Sequence, residues 1–158
     1  MRVGRHANHS ITLTLTAEEG RLLHGLTDEL VALLDERGIQ PADGGRHPAL
    51  ARLLPDAYPG DEEASAEFRR FTEDELAGTK TADARGVAAA LQAGGPITLT
   101  RETVRPWLRC ITDVRLALAI RLGIHEDGDE GDESPESQPV KQIYFWLGYL
   151  QESLLSAL

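Results

Sequence analysis

The segment Trp107–Gly123 constrains the fold of this chain more than any other, because its apolar residues recur with the period of a helix. Intervals of three and four residues place them within one arc roughly 80° wide at about 100° per residue. These residues are Trp107, Ile111, Val114, Leu118 and Leu122. From Leu116 to Leu122 the segment is apolar nearly all round, and a helix of that kind is normally buried. The sequence therefore predicts a central helix that other elements enclose.

Charged residues on this predicted helix and on an earlier one need partners inside the fold. Arg115 and Arg121 lie near the apolar arc, and a buried guanidinium group requires carboxylate or carbonyl partners. Lys80 lies on the apolar side of a helix that a capping box predicts to begin at Thr72. We therefore expect Lys80, Asp113, Arg115 and Arg121 to form structural ion pairs rather than to contact a ligand.

Two short segments have the alternating pattern of half-buried β-strands. Ser10–Thr16 alternates apolar residues with threonines, and Ile97–Leu99 has the same pattern. Arg2–Arg5 can pair with the first strand through a turn at His6–His9. Because both strands lead directly into helices, we expect them to pair in a small two- or three-stranded antiparallel sheet.

The other helices follow from capping residues and apolar stripes. A Thr-x-x-Glu capping box at Thr16 begins the first long helix, as Thr72 does for a later one. Shorter helices are expected at His47–Leu54 and after Asp61. The last predicted helix, Val140–Leu158, is rich in aromatic residues.

The length of 158 residues fits a single domain, residues 1–158, with one hydrophobic core. We expect a mainly α fold of about five helices around the buried central helix, with the small antiparallel sheet at one side. Residues 126–138 form an acidic segment with glycine, serine and proline but no apolar anchor, which predicts a disordered loop. Gln40–Gly45 is a second loop by composition.

The formal net charge of −10 limits the classes of partner. Binding to phosphates requires a basic surface, so this charge argues against a general nucleic-acid or anionic-membrane binder, and direct DNA contact would need a local basic patch. A single cysteine excludes an intramolecular disulfide and is compatible with a reducing cytosol. No signal peptide is visible, and no apolar run approaches the ~20 residues of a membrane span. We therefore expect a cytoplasmic protein that does not cross a membrane.

The sequence carries no motif of a known chemistry. A nucleophile elbow, a phosphate loop, a dinucleotide fingerprint and a zinc-protease motif are all absent, and carboxylate pairs lie in runs on predicted exposed faces. His6 and His9 have no Cys, Asp or Glu close by in sequence to complete a tetrahedral zinc site. We therefore expect no enzymatic activity, no metal and no cofactor.

Cys110 lies at the margin of the predicted core, about 80° from the centre of the apolar arc. The interpretation we favour is a small buried side chain. If the thiol is instead exposed, the neighbouring Arg105 and Arg109 would lower its pKa and make it a redox residue that forms an intermolecular or mixed disulfide. Both interpretations stay open at the level of sequence.

Four arginines are candidate contact residues for a partner. Arg105 and Arg109 are one helical turn apart and face away from the predicted core. Arg69 and Arg70 follow Phe68 on a predicted helix and are at least partly outward. Ordinary surface ion pairs are the alternative for all four.

The last predicted helix carries a second candidate contact surface. Its aromatic residues are Tyr144, Phe145, Trp146 and Tyr149. Its apolar surface is too broad for one stripe, so one part can pack on the central helix while the remainder would form an exposed patch, which is typical of an interface. We expect a homodimer or a partner-binding surface there. A wide groove of the same domain that covers the whole helix is the alternative.

Three segments together resemble a known family. They are His47–Lys80, the run WLRCITDVRLALAIRLG at Trp107–Gly123, and the aromatic-rich C-terminal helix. In this order they are similar to an actinobacterial domain-of-unknown-function family across essentially the whole chain. That family is similar to an actinobacterial oxidative-stress regulator. The resemblance implies a redox-responsive transcription factor that acts with an alternative sigma factor and favours cysteine synthesis.

The resemblance and the acidic charge together lead to a functional hypothesis. We expect a redox-linked transcriptional regulator in the oxidative-stress and cysteine-biosynthesis response. It would act mainly through protein contacts with the transcription machinery, with a sigma factor as a candidate partner. The alternative is an adaptor or interaction protein of unknown partner that does not bind DNA.

Overall fold

The computed structural model describes residues 1–38 and 45–158, with Arg70 described by its backbone alone. The predicted loop Gln40–Gly45 therefore lies outside the described residues except at its last position. The helices are α1 Ala17–Asp35, α2 Pro48–Leu53, α3 Glu62–Phe68, α4 Asp74–Ala93, α5 Val104–Arg121 and α6 Gln138–Ser156. The strands are β1 Arg2–Arg5, β2 Ile11–Thr14 and β3 Ile97–Leu99. The prediction of a mainly α fold with a small antiparallel sheet is confirmed.

The sheet has the order β1-β2-β3, and both pairs of neighbours are antiparallel. Ile11 lies opposite Leu99 and Leu13 opposite Ile97, so the two strands predicted from their alternating pattern do pair. The tight turn between β1 and β2 places His9 at a φ of 63°. Because Ile11 and Leu13 are both fully buried, one face of the sheet closes one side of the core.

Helix α5 lies at the centre of the fold, as its apolar period predicts. It packs against α1, α2, α4 and α6. Four of its apolar residues, Trp107, Ile111, Val114 and Leu118, are buried on this shared core. Helix α6 contributes three leucines that solvent does not reach, Leu147, Leu150 and Leu154. The residues of α5 and α6 that face away from this core are therefore the ones that can contact other elements or solvent.

Helices α3 and α4 run into one another through a π-helical turn, Arg69–Glu73. The predicted helix start at Thr72 is wrong, because the Thr72 hydroxyl donates back to the Phe68 carbonyl, at 2.7 Å, and caps nothing. A threonine hydroxyl can bond to the carbonyl four residues before it inside a helix as readily as it can cap a new one. Asp61, by contrast, does cap α3, since its carboxylate accepts from the Ala64 amide.

The acidic segment 126–138, for which the composition predicts a disordered loop, contains several hydrogen-bonded turns in the structure. The Asp132 amide donates to the Leu122 carbonyl, at 2.6 Å, and returns the chain to the end of α5. The Asp129 carboxylate accepts from the His125 and Gly131 amides, and these bonds lower its pKa. Aspartates that accept backbone hydrogen bonds stabilise turns, so these acids are turn formers as well as surface charges.

In the part of the chain that the structure describes, every helix is too short or too polar to cross a bilayer.

Candidate functional site

Two ion pairs cross the contact between α4 and α5. The Lys80 ammonium lies 2.7 Å from a carboxylate oxygen of Asp113, whose side chain is buried. Burial raises the pKa of Asp113, and the hydrogen bond from Lys80 opposes this shift. The other carboxylate oxygen of Asp113 is buried without a hydrogen-bond partner among the described residues. Among the described residues, the Lys80 ammonium is therefore the hydrogen-bond donor that pairs this buried carboxylate.

Arg109 forms the second pair, with Asp83. Its Nε and Nη2 donate to the two carboxylate oxygens at 2.6 and 2.9 Å, and the hydrogen bond raises the pKa of Arg109. Bidentate pairing of this kind fixes both side chains. Arg109 is therefore a member of an ion pair, which is the alternative given above for this arginine, and about half of its side chain stays exposed.

Cys110 lies inside this helix contact, and none of it reaches solvent. Burial, and then the nearby negative charges of Asp113 and Asp83, raise the pKa of the thiol to about 12. The thiolate is the form that reacts with oxidants and disulfides, so a thiol with this pKa is inert at neutral pH. The arginine that the sequence placed beside Cys110 does not activate it, because Arg109 is already paired with Asp83.

Arg115 has partners other than the carboxylate or backbone carbonyls that were expected. Its Nη1 donates to the Gln151 side-chain oxygen at 2.9 Å, and its guanidinium lies over the Tyr144 ring, 4.7 Å from the centroid. Gln151 in turn donates to the Thr112 hydroxyl. Gln151 and Tyr144 both lie on α6, so the Arg115 guanidinium is bound there by an amide oxygen and a cation–π contact instead of a carboxylate. The guanidinium of Arg115 also lies over Gly148 of α6, where a Cβ would make an ordinary contact with it, at 3.4 Å.

The other arginines divide between paired and exposed positions. Arg69 is bound to Asp56 at 2.6 Å, so this candidate contact residue is an ion-pair member. The Arg70 side chain lies outside what the structure describes. Arg105 and Arg121 are both exposed, and neither forms an ion pair within the described ranges. The ion pair predicted for Arg121 is not found among the described residues, because its side chain is exposed to solvent in the groove between α1, α2 and α5.

The aromatic residues of α6 separate into two groups. Tyr144 and Trp146 are half-buried, and Tyr144 meets the Phe145 ring edge-on at a centroid distance of 5.8 Å. Phe145 and Tyr149 are 61% and 66% exposed. These two residues form the α6 aromatic face. Most of the surface of both rings is open to solvent, so the described residues do not cover the whole of the helix.

A groove of about 940 Å³ runs beside this face, between α5, α6 and the segment that follows α5. Its lining combines cations from Arg52, Arg115 and Lys141 with the acidic run 126–130, and Phe145 forms part of its rim. The groove is open and of mixed charge. Among the described residues no three His, Cys, Asp or Glu side chains lie close enough together to hold a metal ion.

The sequence analysis missed two residues that organise these contacts, Asp83 and Gln151. A signal for Asp83 was present, since it follows Lys80 by three residues and so shares its helix face. Gln151 carried no such signal, because its partner Arg115 lies 36 residues away in sequence.

The chain was compared with known families, curated proteins and solved structures. The family model described as a domain of unknown function, DUF2017, matches residues 1–158. Proteins named oxidative stress regulator AosR in Mycobacterium tuberculosis H37Rv and in Mycobacterium bovis are each 29% identical over an alignment of 177 positions. The alignment covers 92% of this chain and 80% of each relative. No solved structure matches. Because the family model spans the whole length, the chain belongs to the DUF2017 family.

Proposed function

We propose that this protein is a regulator in the oxidative-stress response of its host, and that it acts through protein contacts with the transcription machinery. The observation that carries the proposal is the similarity to proteins named oxidative stress regulator AosR, which extends over 92% of this chain and 80% of those relatives. Similarity of that extent relates whole proteins rather than one shared module.

The charges of the molecule favour protein contacts over phosphate contacts. The net charge is −10, and two of the four candidate contact arginines, Arg69 and Arg109, already hold carboxylates. A protein that binds DNA gains affinity by releasing counter-ions from phosphates, which requires unpaired cations on one surface. Protein partners do not require such a surface.

The environment of Cys110 bears on how oxidant reaches this regulator. The thiol is buried, and its pKa is raised to about 12. Direct oxidation requires a thiolate and an open path, and the folded chain offers neither. In this proposal the folded protein is therefore not the primary sensor, and oxidant acts on a partner or on an opened form of the chain.

The proposal is tested by deleting the gene in the native host and comparing transcripts with and without peroxide. We expect the induction of peroxide-responsive transcripts, including those for cysteine synthesis, to fall in the deletion strain. Complementation with the wild-type chain and with Cys110→Ser should both restore it. An unchanged transcriptome in the deletion strain would refute the regulatory role.

A second experiment separates protein contact from DNA contact. The tagged protein is purified from peroxide-treated cells, with and without nuclease, and RNA polymerase subunits and sigma factors are quantified. Co-purification that survives nuclease supports the proposed contacts, and co-purification that nuclease abolishes would indicate a DNA-bound regulator. Absence of both classes of subunit would favour the adaptor hypothesis over this one.

A further inference from the structure

The exposed side of α6 has a pattern of charges that is complementary to itself. Lys141, Phe145, Tyr149 and Glu152 fall within one arc about 80° wide at 100° per residue. Along the helix axis the two aromatic residues lie between the charged residues, with a cation before them and an anion after them, while around the helix both charged residues lie toward one side of the arc. The midpoint of the charged residues and the midpoint of the aromatic residues agree to within half a residue along the helix.

Within the described part of the chain neither Lys141 nor Glu152 forms an ion pair, and Glu152 is exposed. Lys141 is half-buried, and its charge contributes to the lowering of the Asp132 pKa. Phe145 and Tyr149 remain 61% and 66% exposed, and exposed adjacent aromatic rings are typical of interfaces. Along the helix axis the face is therefore apolar at its centre and flanked by two charges of opposite sign.

From this arrangement we propose that two copies of this chain associate through antiparallel pairing of their α6 helices. A two-fold axis near the middle of the aromatic pair places Phe145 of each copy opposite Tyr149 of the other. The same axis places each Lys141 opposite Glu152 of the other copy, which yields two ion pairs at the ends. Self-complementary pairing of one surface across a two-fold axis is the common arrangement of homodimers.

The area available predicts a weak dimer. A contact made by one exposed helix face lies at the low end of interface sizes, below about 1,200 Å² in total, where association is transient. Parallel pairing is disfavoured, because it would place Lys141 opposite Lys141 and Glu152 opposite Glu152. The charges therefore select the direction of pairing, and the aromatic residues supply most of the buried surface.

Sedimentation velocity of the wild-type chain, at physiological ionic strength and from micromolar to low millimolar concentration, tests association itself. We expect a reversible monomer–dimer equilibrium whose dimer fraction rises with concentration. A monomer throughout this range would overturn the proposal and leave the face to a different partner. Tyr149→Ser should abolish the dimer without lowering the melting temperature, because this ring is already exposed; a dimer that persists in Tyr149→Ser would place the contact elsewhere.

Charge reversal tests the register without risk to the core. Lys141→Glu and Glu152→Lys each replace two attractions with two repulsions, so each should weaken the dimer about tenfold. These variants shift the net charge in opposite directions, so a general charge effect could not weaken both. Arg85→Glu, at an exposed position on α4, is the matched control and should associate like the wild type.

Mixing the two charge variants distinguishes antiparallel from any other pairing. In an antiparallel heterodimer of Lys141→Glu with Glu152→Lys, both end pairs are again attractive, so the mixture should dimerise about as well as the wild type. The double variant on one chain should also recover. If neither the mixture nor the double variant associates more tightly than the single variants, the antiparallel register is wrong.

Discussion

Replacing Lys80 with methionine removes the group on which the position of buried Asp113 depends. Asp113 is 3% exposed, its second carboxylate oxygen has no described partner, and Lys80 is 2.7 Å from the first. Breaking a buried pair from one side costs about 3–5 kcal/mol. Because the Lys80 side chain is 19% exposed, we expect a loss of unfolding free energy at the lower end of this range, about 3 kcal/mol at neutral pH. For a domain of this length, that lowers Tm by about 6–12 °C.

The same variant should have a stability cost that depends on pH. Burial raises the Asp113 pKa above its unfolded value, so the folded state favours the protonated acid. For a group with a raised pKa, stability is greatest below the unfolded value of about 3.9 and falls as pH rises through the folded value. Without Lys80 the folded pKa rises further. The free-energy difference between Lys80→Met and wild type should therefore shrink as pH falls from neutral toward the unfolded value of about 3.9.

Urea unfolding followed by circular dichroism and by tryptophan fluorescence, from buried Trp107 and half-buried Trp146, measures this difference. Asp113→Asn and the double variant complete a double-mutant cycle, and the coupling energy should be about 2 kcal/mol or more at neutral pH. The double variant should be more stable than Lys80→Met alone, because no unpaired charge remains. A Lys80→Met chain as stable as wild type, or a cost that stays constant with pH, would show that the pair does not hold Asp113 as argued.

Three further predictions test the burial of the Cys110 thiol, the stabilisation by the Arg109–Asp83 ion pair and the turn geometry of the acidic segment 126–138. Peroxide should leave the intact mass of the native chain unchanged and should oxidise Cys110 only when urea unfolds it; rapid oxidation in buffer would contradict the buried geometry. Arg109→Ala should lower the free energy of unfolding in urea by about 1 kcal/mol, a small loss because solvent screens an ion pair whose arginine is half exposed. Arg105→Ala should change the free energy of unfolding by no more than about 0.5 kcal/mol. Gly131→Ala should destabilise the fold by about 3 kcal/mol, since its Cβ would lie 2.5 Å from a backbone oxygen. Gly128 also has a positive φ but open space around it, so Gly128→Ala should cost about 1 kcal/mol. Equal costs for the two variants would mean that the segment moves aside to accept the new Cβ.

The two periods of the sequence were sufficient to identify the central helix and the paired strands, although not the boundary between α3 and α4. A period of two identified β2 and β3, and burial of one face of each made their pairing predictable. The helical period from Trp107 to Leu122 identified the central helix, because a segment that is apolar on nearly every side has to be enclosed. These features depend on residues a few positions apart, which is the range that a local pattern describes.

Tertiary structure alone decided which groups meet across the helices. Asp83 is 26 residues from Arg109, and Gln151 is 36 residues from Arg115, so these contacts depend on how α4, α5 and α6 cross rather than on any local spacing. The burial of Cys110 has the same origin. Its position at the margin of the apolar arc allowed either exposure or burial, and the packing of α4 against α5 closed it. Local periodicity specifies a face, whereas the partner of that face is specified by the geometry of the whole chain.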